Sequence, residues 1–335
     1  MDVRYTPEQQ ALRDAAARVA RDLAPGTVAE IGDSERSAKL GATIAATGWR
    51  ELRVDDEGRP AASAVEVAIV AEELARRLCD APFLGPVLAA DARRLAGVAH
   101  GSGNETVALR PDLTGPALPA EQALIAFDAA GAEAAVAVLA DGTLILASLD
   151  TEVADLADLT RPMRRTLAAT AEPIGALANA DLRRWVALAL AGTTADLVGI
   201  MQGALDLTVD YAKERRQYGV PIGSFQAVAH MLADASVHLE GARTTLLHAA
   251  WAVDSLDADD ALAAAASAKA YASRAAREVC ETAIQVHGGI GNTWECLAHV
   301  YLRRSLVSTA IFGGVGPNVD RVLVHAGVRK CDGLL

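Results

Sequence analysis

Aromatic residues are scarce in this chain of 335 residues: Phe, Trp and Tyr together make up 4% of it. The 52% hydrophobic fraction therefore rests largely on alanine. Alanine loses no side-chain entropy in a helix, so an Ala-rich, ring-poor chain leans helical. Basic charge is also short, with 31 Lys and Arg against 43 Asp and Glu and a formal net charge of −12. That balance argues against a nucleic-acid partner, which needs a basic face to displace phosphate counterions. Cysteine occurs four times, at Cys79, Cys280, Cys296 and Cys331, without metal-ligand or CxxC spacing. Unpaired thiols in a reducing compartment, and no metal site, are the expectation. The first residues, Met1 to Tyr5, lack a charged-then-apolar leader pattern. No apolar run approaches the ~18 residues of a membrane helix. A cytoplasmic protein with no membrane association is the expectation.

What is present begins with helices. Thr6 reads as an N-cap, Pro7 suits the first helical position and Gln9 completes a capping box. Leu12, Ala16, Val19 and Leu23 then recur at helical spacing until Pro25-Gly26. Leu40 to Leu52 predicts a short helix ending near Gly48-Trp49. Ser63 to Glu66 predicts another capping box, with Val67, Val70, Leu74 and Leu78 on one face. A further helix follows Pro82 to Pro86 and stops at Gly97. Between about 104 and 172 the texture changes to short apolar runs of strand length: Thr106–Leu109, Ala123–Phe127, Ala135–Leu139 and Thr143–Leu149. Asp141-Gly142 between the last two is a hairpin signal.

From Asp181, read as a cap, the helical period returns through Trp185, Leu188, Leu197, Met201 and Leu205 to Tyr211. Phe225, Val228, Leu232, Ala235, Leu239, Ala242, Leu246 and Ala249 then alternate by three and four, the pattern of a bundle seam. Helices from Asp259 to Val286 and from Ala298 to Thr309 follow, the former halted by Gly288-Gly289, with a short one near Asn318. The expected fold is mainly α: an N-terminal helical domain over 1–100, a small, shortened middle β domain over 101–178, and a C-terminal four-helix bundle over 179–335.

Two stretches carry a more specific pattern. Glu214-Arg-Arg-Gln-Tyr-Gly-Val-Pro-Ile222, followed by Phe225-Gln226 and Leu232-Ala-Asp234, resembles the acyl-CoA dehydrogenase motif ERxxFGxPIxxFQxxxxxLAD. Gln285-Val-His-Gly-Gly-Ile-Gly291 resembles that family's QxxGGxG, and Thr293-Trp-Glu295 with Tyr301-Leu-Arg-Arg304 is similar to its next helix. Taken alone, Arg215-Arg216 is a solvated helix end, Gly288-Gly289 a helix C-cap and His287 a structural side chain. The resemblance, which spans nearly the whole chain, implies more. It implies FAD as cofactor and α,β-dehydrogenation of an acyl-CoA thioester, in which a carboxylate takes the α-proton and a hydride passes to the flavin. It also implies that each FAD lies at a subunit interface. Arg215 matches the arginine on the FAD pyrophosphate, Gln217 and Tyr218 line that site, and Gln285 and Gly289 match the positions beside the adenine half. All five belong to the half-site offered to a neighbour's flavin.

The departures are as informative. Counting without gaps from Gln285, Phe312 stands where many members carry the catalytic glutamate, and no carboxylate occurs between Glu295 and Asp320. The alternative base position, on the first bundle helix, falls on Ala189. Neither side chain can accept a proton. The stretch between Gly101 and Asn179 has no Trp or Tyr, whereas the family places aromatic and hydroxyl residues there against the flavin ring. Asp158-Leu-Thr-Arg161 resembles a segment of short members and is assigned no role. Three readings stand. In the first, the chain is the base-lacking subunit of an α2β2 acyl-CoA dehydrogenase, of the kind found in steroid degradation, with a base-bearing homologue as partner. In the second it acts alone with a displaced acid, Asp196 or Glu240. In the third it is a flavin-free scaffold.

Overall fold

The computed structural model describes residues 4–101, 104–150, 152–153, 156–168 and 171–329. Cys331 and the first three residues lie outside them. The chain forms helices α1 (Pro7–Leu23), α2 (Ser34–Ala46), α3 (Ala64–Arg76) and α4 (Leu84–Leu95), with a two-residue hairpin of β1 (Asp55–Asp56) and β2 (Arg59–Pro60) before α3. The capping box of α1 forms as expected: the Gln9 N–H donates to Thr6 Oγ1 (3.2 Å) and the Thr6 N–H to Gln9 Oε1 (3.1 Å). The box expected at Ser63 is only half made. Ser63 Oγ accepts from the Val65 N–H (3.2 Å), but Glu66 is drawn to the Ser63 hydroxyl and to Gln9 Nε2. Helix α2 starts well before the expected Leu40, because the Asp33 carboxylate caps it through the Glu35 and Arg36 N–H groups. It ends at Ala46, and Gly48, at φ 71°, leads into a single 3-10 turn, Trp49–Glu51.

Six strands form the middle sheet: β3 (Glu105–Leu109), β4 (Ala123–Phe127), β5 (Ala134–Val138), β6 (Thr143–Ser148), β7 (Arg164–Leu167) and β8 (Glu172–Ala176), in the order β7-β4-β3-β5-β6-β8. Among the described strands of this sheet only β3 and β5 pair in parallel. Asp141-Gly142 makes the expected turn between β5 and β6, with Gly142 at φ 90°. Strands β7 and β8 carry no apolar run. They are the sheet's two edges, where Arg164, Arg165 and Pro173 are tolerated.

The remainder is helical: α5 (Asn179–Glu214), α6 (Gln226–Ser255), α7 (Ala258–His287), α8 (Ala298–Ala310) and α9 (Val315–His325), with a second small hairpin of β9 (Arg216–Gln217) and β10 (Val220–Pro221) between α5 and α6. Ala178 rather than the expected Asp181 is the N-cap of α5; Asp181 sits in the first turn, where a carboxylate still favours the helix dipole. By length and composition α5 is apolar enough to cross a membrane, contrary to the expectation above, but its most apolar window is 94% buried inside the protein. It is the central core helix. Trp185 of α5 donates from Nε1 to the Leu88 carbonyl (2.9 Å), joining the bundle to α4. On α6, Ala235, Leu239, Ala242, Leu246 and Ala249 are buried as the seam requires, while Phe225 at its start is 37% exposed.

Candidate functional site

Helices α5, α6 and α7 run up, down and up, so the C-terminal ends of α5 and α7 meet at one end of the bundle. Tyr211 and His287 stack there, their ring centroids 4.4 Å apart. This pair brings together the two stretches that carry the family pattern. Beyond it, Arg215 ends α5 by donating its N–H to the Tyr211 carbonyl (2.8 Å). The chain then turns back through β9 and β10. Tyr218 (φ 52°) and Gly219 (φ 83°) are the two central residues of this turn, both in the left-handed region that a two-residue hairpin favours. The turn holds Tyr218 outward, 94% exposed, with Phe225 edge-on at 6.4 Å.

At the end of α7, Gln285 and Gly289 face solvent. Gly288 takes the positive φ of 66° that stops the helix. Gly289 has no positive φ, and a Cβ built on it meets nothing within 4 Å. Neither its conformation nor packing within the chain calls for glycine, which suits a backbone that something outside the chain approaches closely. Arg215, Gln217, Tyr218, Gln285 and Gly289 are thus all exposed at one end of the bundle. The guanidinium of Arg215 and the amide of Gln285 have no partner among the described residues. His287, by contrast, is buried and structural: its Nδ1 lies 2.8 Å from the Ala283 carbonyl oxygen, and burial pushes its pKa down.

The two base positions have the opposite character. Phe312 lies between α8 and α9 with none of its surface exposed. Its φ is 60°, its N–H donates to the Leu113 carbonyl (2.8 Å), its carbonyl accepts from Arg321 Nη1 (3.1 Å), and its ring meets Trp185 edge-on at 5.5 Å. Ala189 is fully buried in the N-terminal third of α5. Both positions are filled core.

The candidate replacement acids fare no better. Glu240 is solvent-facing and paired with Arg243. Asp196 is 2% exposed and accepts from Arg161 Nη2 (2.6 Å), Arg304 Nη2 (2.7 Å) and Ser308 Oγ (2.6 Å). Burial alone would raise its pKa, but the guanidiniums of Arg161 and Arg304 override that and hold it at about 2. A carboxylate so strongly stabilised is a poor proton acceptor near neutral pH.

Asp196 belongs to a buried network that sequence reasoning missed. Arg161 also reaches Asp128 Oδ1 (3.1 Å), whose other oxygen accepts the Gly85 N–H (3.1 Å). Arg304 donates to the Thr160 hydroxyl (3.0 Å) and the Cys79 carbonyl (2.8 Å). Lys269 of α7 donates to the Ser308 carbonyl and is wholly buried. The network ties the loop after α3, the middle sheet's loops, α5, α7 and α8 together. It encloses a void of about 20 Å³ lined by Asp128, Arg161, Asp196 and Arg304, room for a single water and nothing like a flavin ring. The only sequence sign of it was the Asp158-Leu-Thr-Arg161 segment.

Residues 190–318 match the family described as acyl-CoA dehydrogenase, C-terminal domain. Acyl-CoA dehydrogenase IpdE2 of Mycolicibacterium smegmatis is 33% identical, over 74% of this chain and 74% of its own length. The chain belongs to the acyl-CoA dehydrogenase family. Acyl-CoA dehydrogenase FadE34 of Mycobacterium tuberculosis is 31% identical over 97% of the chain; the chain spans about half, 49%, of that relative's length. Among solved structures, the Tcur3481–Tcur3483 steroid ACAD G363A variant superposes with a TM-score of 0.80 at 25% identity, covering 96% of this chain and 98% of that one. The fold expected from the sequence, helices then sheet then bundle, is the fold of this family.

Proposed function

We propose that this acyl-CoA dehydrogenase chain is the base-lacking subunit of a hetero-oligomer, offering the ADP half of an FAD site to a base-bearing homologue. One observation carries the reading. Every residue that would touch the ADP half faces solvent at one end of the bundle, while both positions that would hold the base are closed core. Loss of function without selection has no reason to sort residues this way. The likeness to the Tcur3481–Tcur3483 steroid ACAD, which bears two component names, supports a partner and a steroid-type acyl-CoA substrate.

In this reading, Arg215 binds pyrophosphate oxygens through its planar guanidinium. Gln217 and Tyr218 flank it on the β9–β10 turn. Gln285 offers its amide to the adenine end, and Gly289 leaves the backbone open to close approach. The bound flavin supplies the hydride acceptor of α,β-dehydrogenation, and the partner supplies the carboxylate that removes the α-proton. This chain contributes binding and orientation, and no proton transfer. The second reading, a self-sufficient enzyme, would have to draw its base from Asp196 or Glu240, and neither environment favours it.

The test is to purify the chain alone and after co-expression with a base-bearing homologue. Flavin and dehydrogenase activity are expected in the complex and not in the lone chain. Equal flavin content and activity in the lone chain would overturn the proposal.

A further inference from the structure

Away from the bundle end, a groove of about 430 Å³ runs between α2 and the loops that follow α3 and β4, within the size range of small-molecule sites. One wall is the face of α2 formed by Ala38, Gly41, Ala42 and Ala45; the other includes Pro82, Pro86 and Ala130. The α2 wall is apolar but for Ser37, and the facing wall also carries Asn104, Glu105 and Asp128. Arg50 lines the groove. Its Nε donates to the Pro82 carbonyl (3.0 Å), which fixes the plane of the guanidinium. Its two Nη groups have no partner among the described residues.

Arg164, Arg184 and Arg321 bond carbonyl or amide oxygens through their Nη groups; Arg50 does not. Arg36, Arg53, Arg93, Arg161, Arg243 and Arg304 each meet a carboxylate. Arg50 is half-buried and meets none. Glu51 and Asp128 act on it electrostatically without bonding its fork; Asp128 is held by Arg161 and the Gly85 N–H, and Glu105 on the groove wall by Arg93. A desolvated guanidinium with its fork free is a ready acceptor for two oxygens of one anion. Gly41 adds a second, independent point. It sits inside α2, where glycine costs about 1 kcal/mol relative to alanine. Its φ is not positive, and a Cβ on it would approach only Arg50 Nη2, at 4.0 Å. Nothing inside the chain requires glycine there, and its lack of a side chain keeps the groove open beside the guanidinium.

We infer that this groove is a binding site for a monocarboxylate with a compact apolar body, the carboxylate paired to the Arg50 fork and the body lying against α2 between Gly41 and the two prolines. The site is separate from the proposed flavin half-site and does not depend on it.

Isothermal titration of the full chain with octanoate, and separately with inorganic phosphate, tests this. Octanoate is expected to bind one site and phosphate more weakly. Arg50→Gln is expected to lower octanoate affinity at least tenfold, as loss of a charge-assisted pair does. Gly41→Leu fills the groove while improving helix propensity, so it is expected to abolish octanoate binding without lowering the melting temperature. Absence of octanoate binding, or equal binding by wild type and both variants, would overturn the inference. Phosphate binding as tight as octanoate would overturn the role given to the apolar α2 wall.

Discussion

Lys269 offers a quantitative test of the buried network. It is fully enclosed, with Nζ on the Ser308 carbonyl. Burial is the main cause that drives its pKa from 10.5 to about 7; Asp196 opposes the shift, and Arg161 and Arg321 add to it. In the unfolded chain the lysine regains its ordinary value. Between pH 7 and 10.5 the unfolded state therefore holds a proton that the folded state has released, and stability rises with pH. Below pH 7 both states are protonated and the full cost of burial persists. With about 1.4 kcal/mol per pKa unit, the cost at pH 7 is about 4 kcal/mol, falling to about 2 kcal/mol at pH 9. Lys269→Met removes the charge and keeps much of the volume. Urea unfolding of wild type and variant at both pH values is the assay. Lys269→Met is expected to be more stable at pH 7, with an advantage that shrinks by about 2 kcal/mol at pH 9. Other titrating groups act on both proteins and cancel in the comparison. An advantage that does not change with pH, or a variant less stable at both values, would refute the reasoning.

The two positions that decide the functional reading give further tests. Phe312→Ala is expected to lose about 3–5 kcal/mol of stability in urea unfolding, the usual cost of emptying a buried phenyl site. Phe312→Glu is expected to lose as much or more and to gain no dehydrogenase activity, since it would bury an unpaired carboxylate. Asp196→Asn leaves Arg161 and Arg304 without their shared anion, at a cost of about 3–5 kcal/mol. In a complex with a base-bearing homologue, activity per bound flavin is expected to stay unchanged. A specific loss of turnover at full flavin occupancy would instead make Asp196 a catalytic group.

Much of the architecture was legible because local chemistry and packing agree. Thr6-Pro7-x-Gln9 caps α1 as read, Asp141-Gly142 turns the β5–β6 hairpin, and the buried alanines and leucines of α6 follow the seam. The misses have physical reasons. Asp33 starts α2 through a side-chain cap that an apolar count starting at Leu40 cannot register. Strands β7 and β8 lie at sheet edges, where one exposed side relaxes the alternation. At the candidate site, the residues of the proposed half-site were named from short motifs, which report only local backbone. Their meeting at one end of the bundle depends on the up-down-up path of α5, α6 and α7 and on the Tyr211–His287 stack, which no local pattern encodes. The Asp196 network draws residues from segments far apart in sequence, from Cys79 to Ser308. Each member looks like an ordinary polar residue until the fold brings them together.

The central claim is that this chain holds part of a flavin bound mainly by its partner, and Arg215 is the side chain on which it can be measured most directly. The measurement is the flavin dissociation constant of the co-purified complex, with wild-type chain and with Arg215→Ala, the partner being unaltered. The Arg215 side chain is exposed at the end of α5 with no partner among the described residues, so its removal should leave folding intact. The account predicts flavin affinity lower by at least tenfold, with the complex still assembled. Unchanged flavin affinity in an intact complex would contradict it.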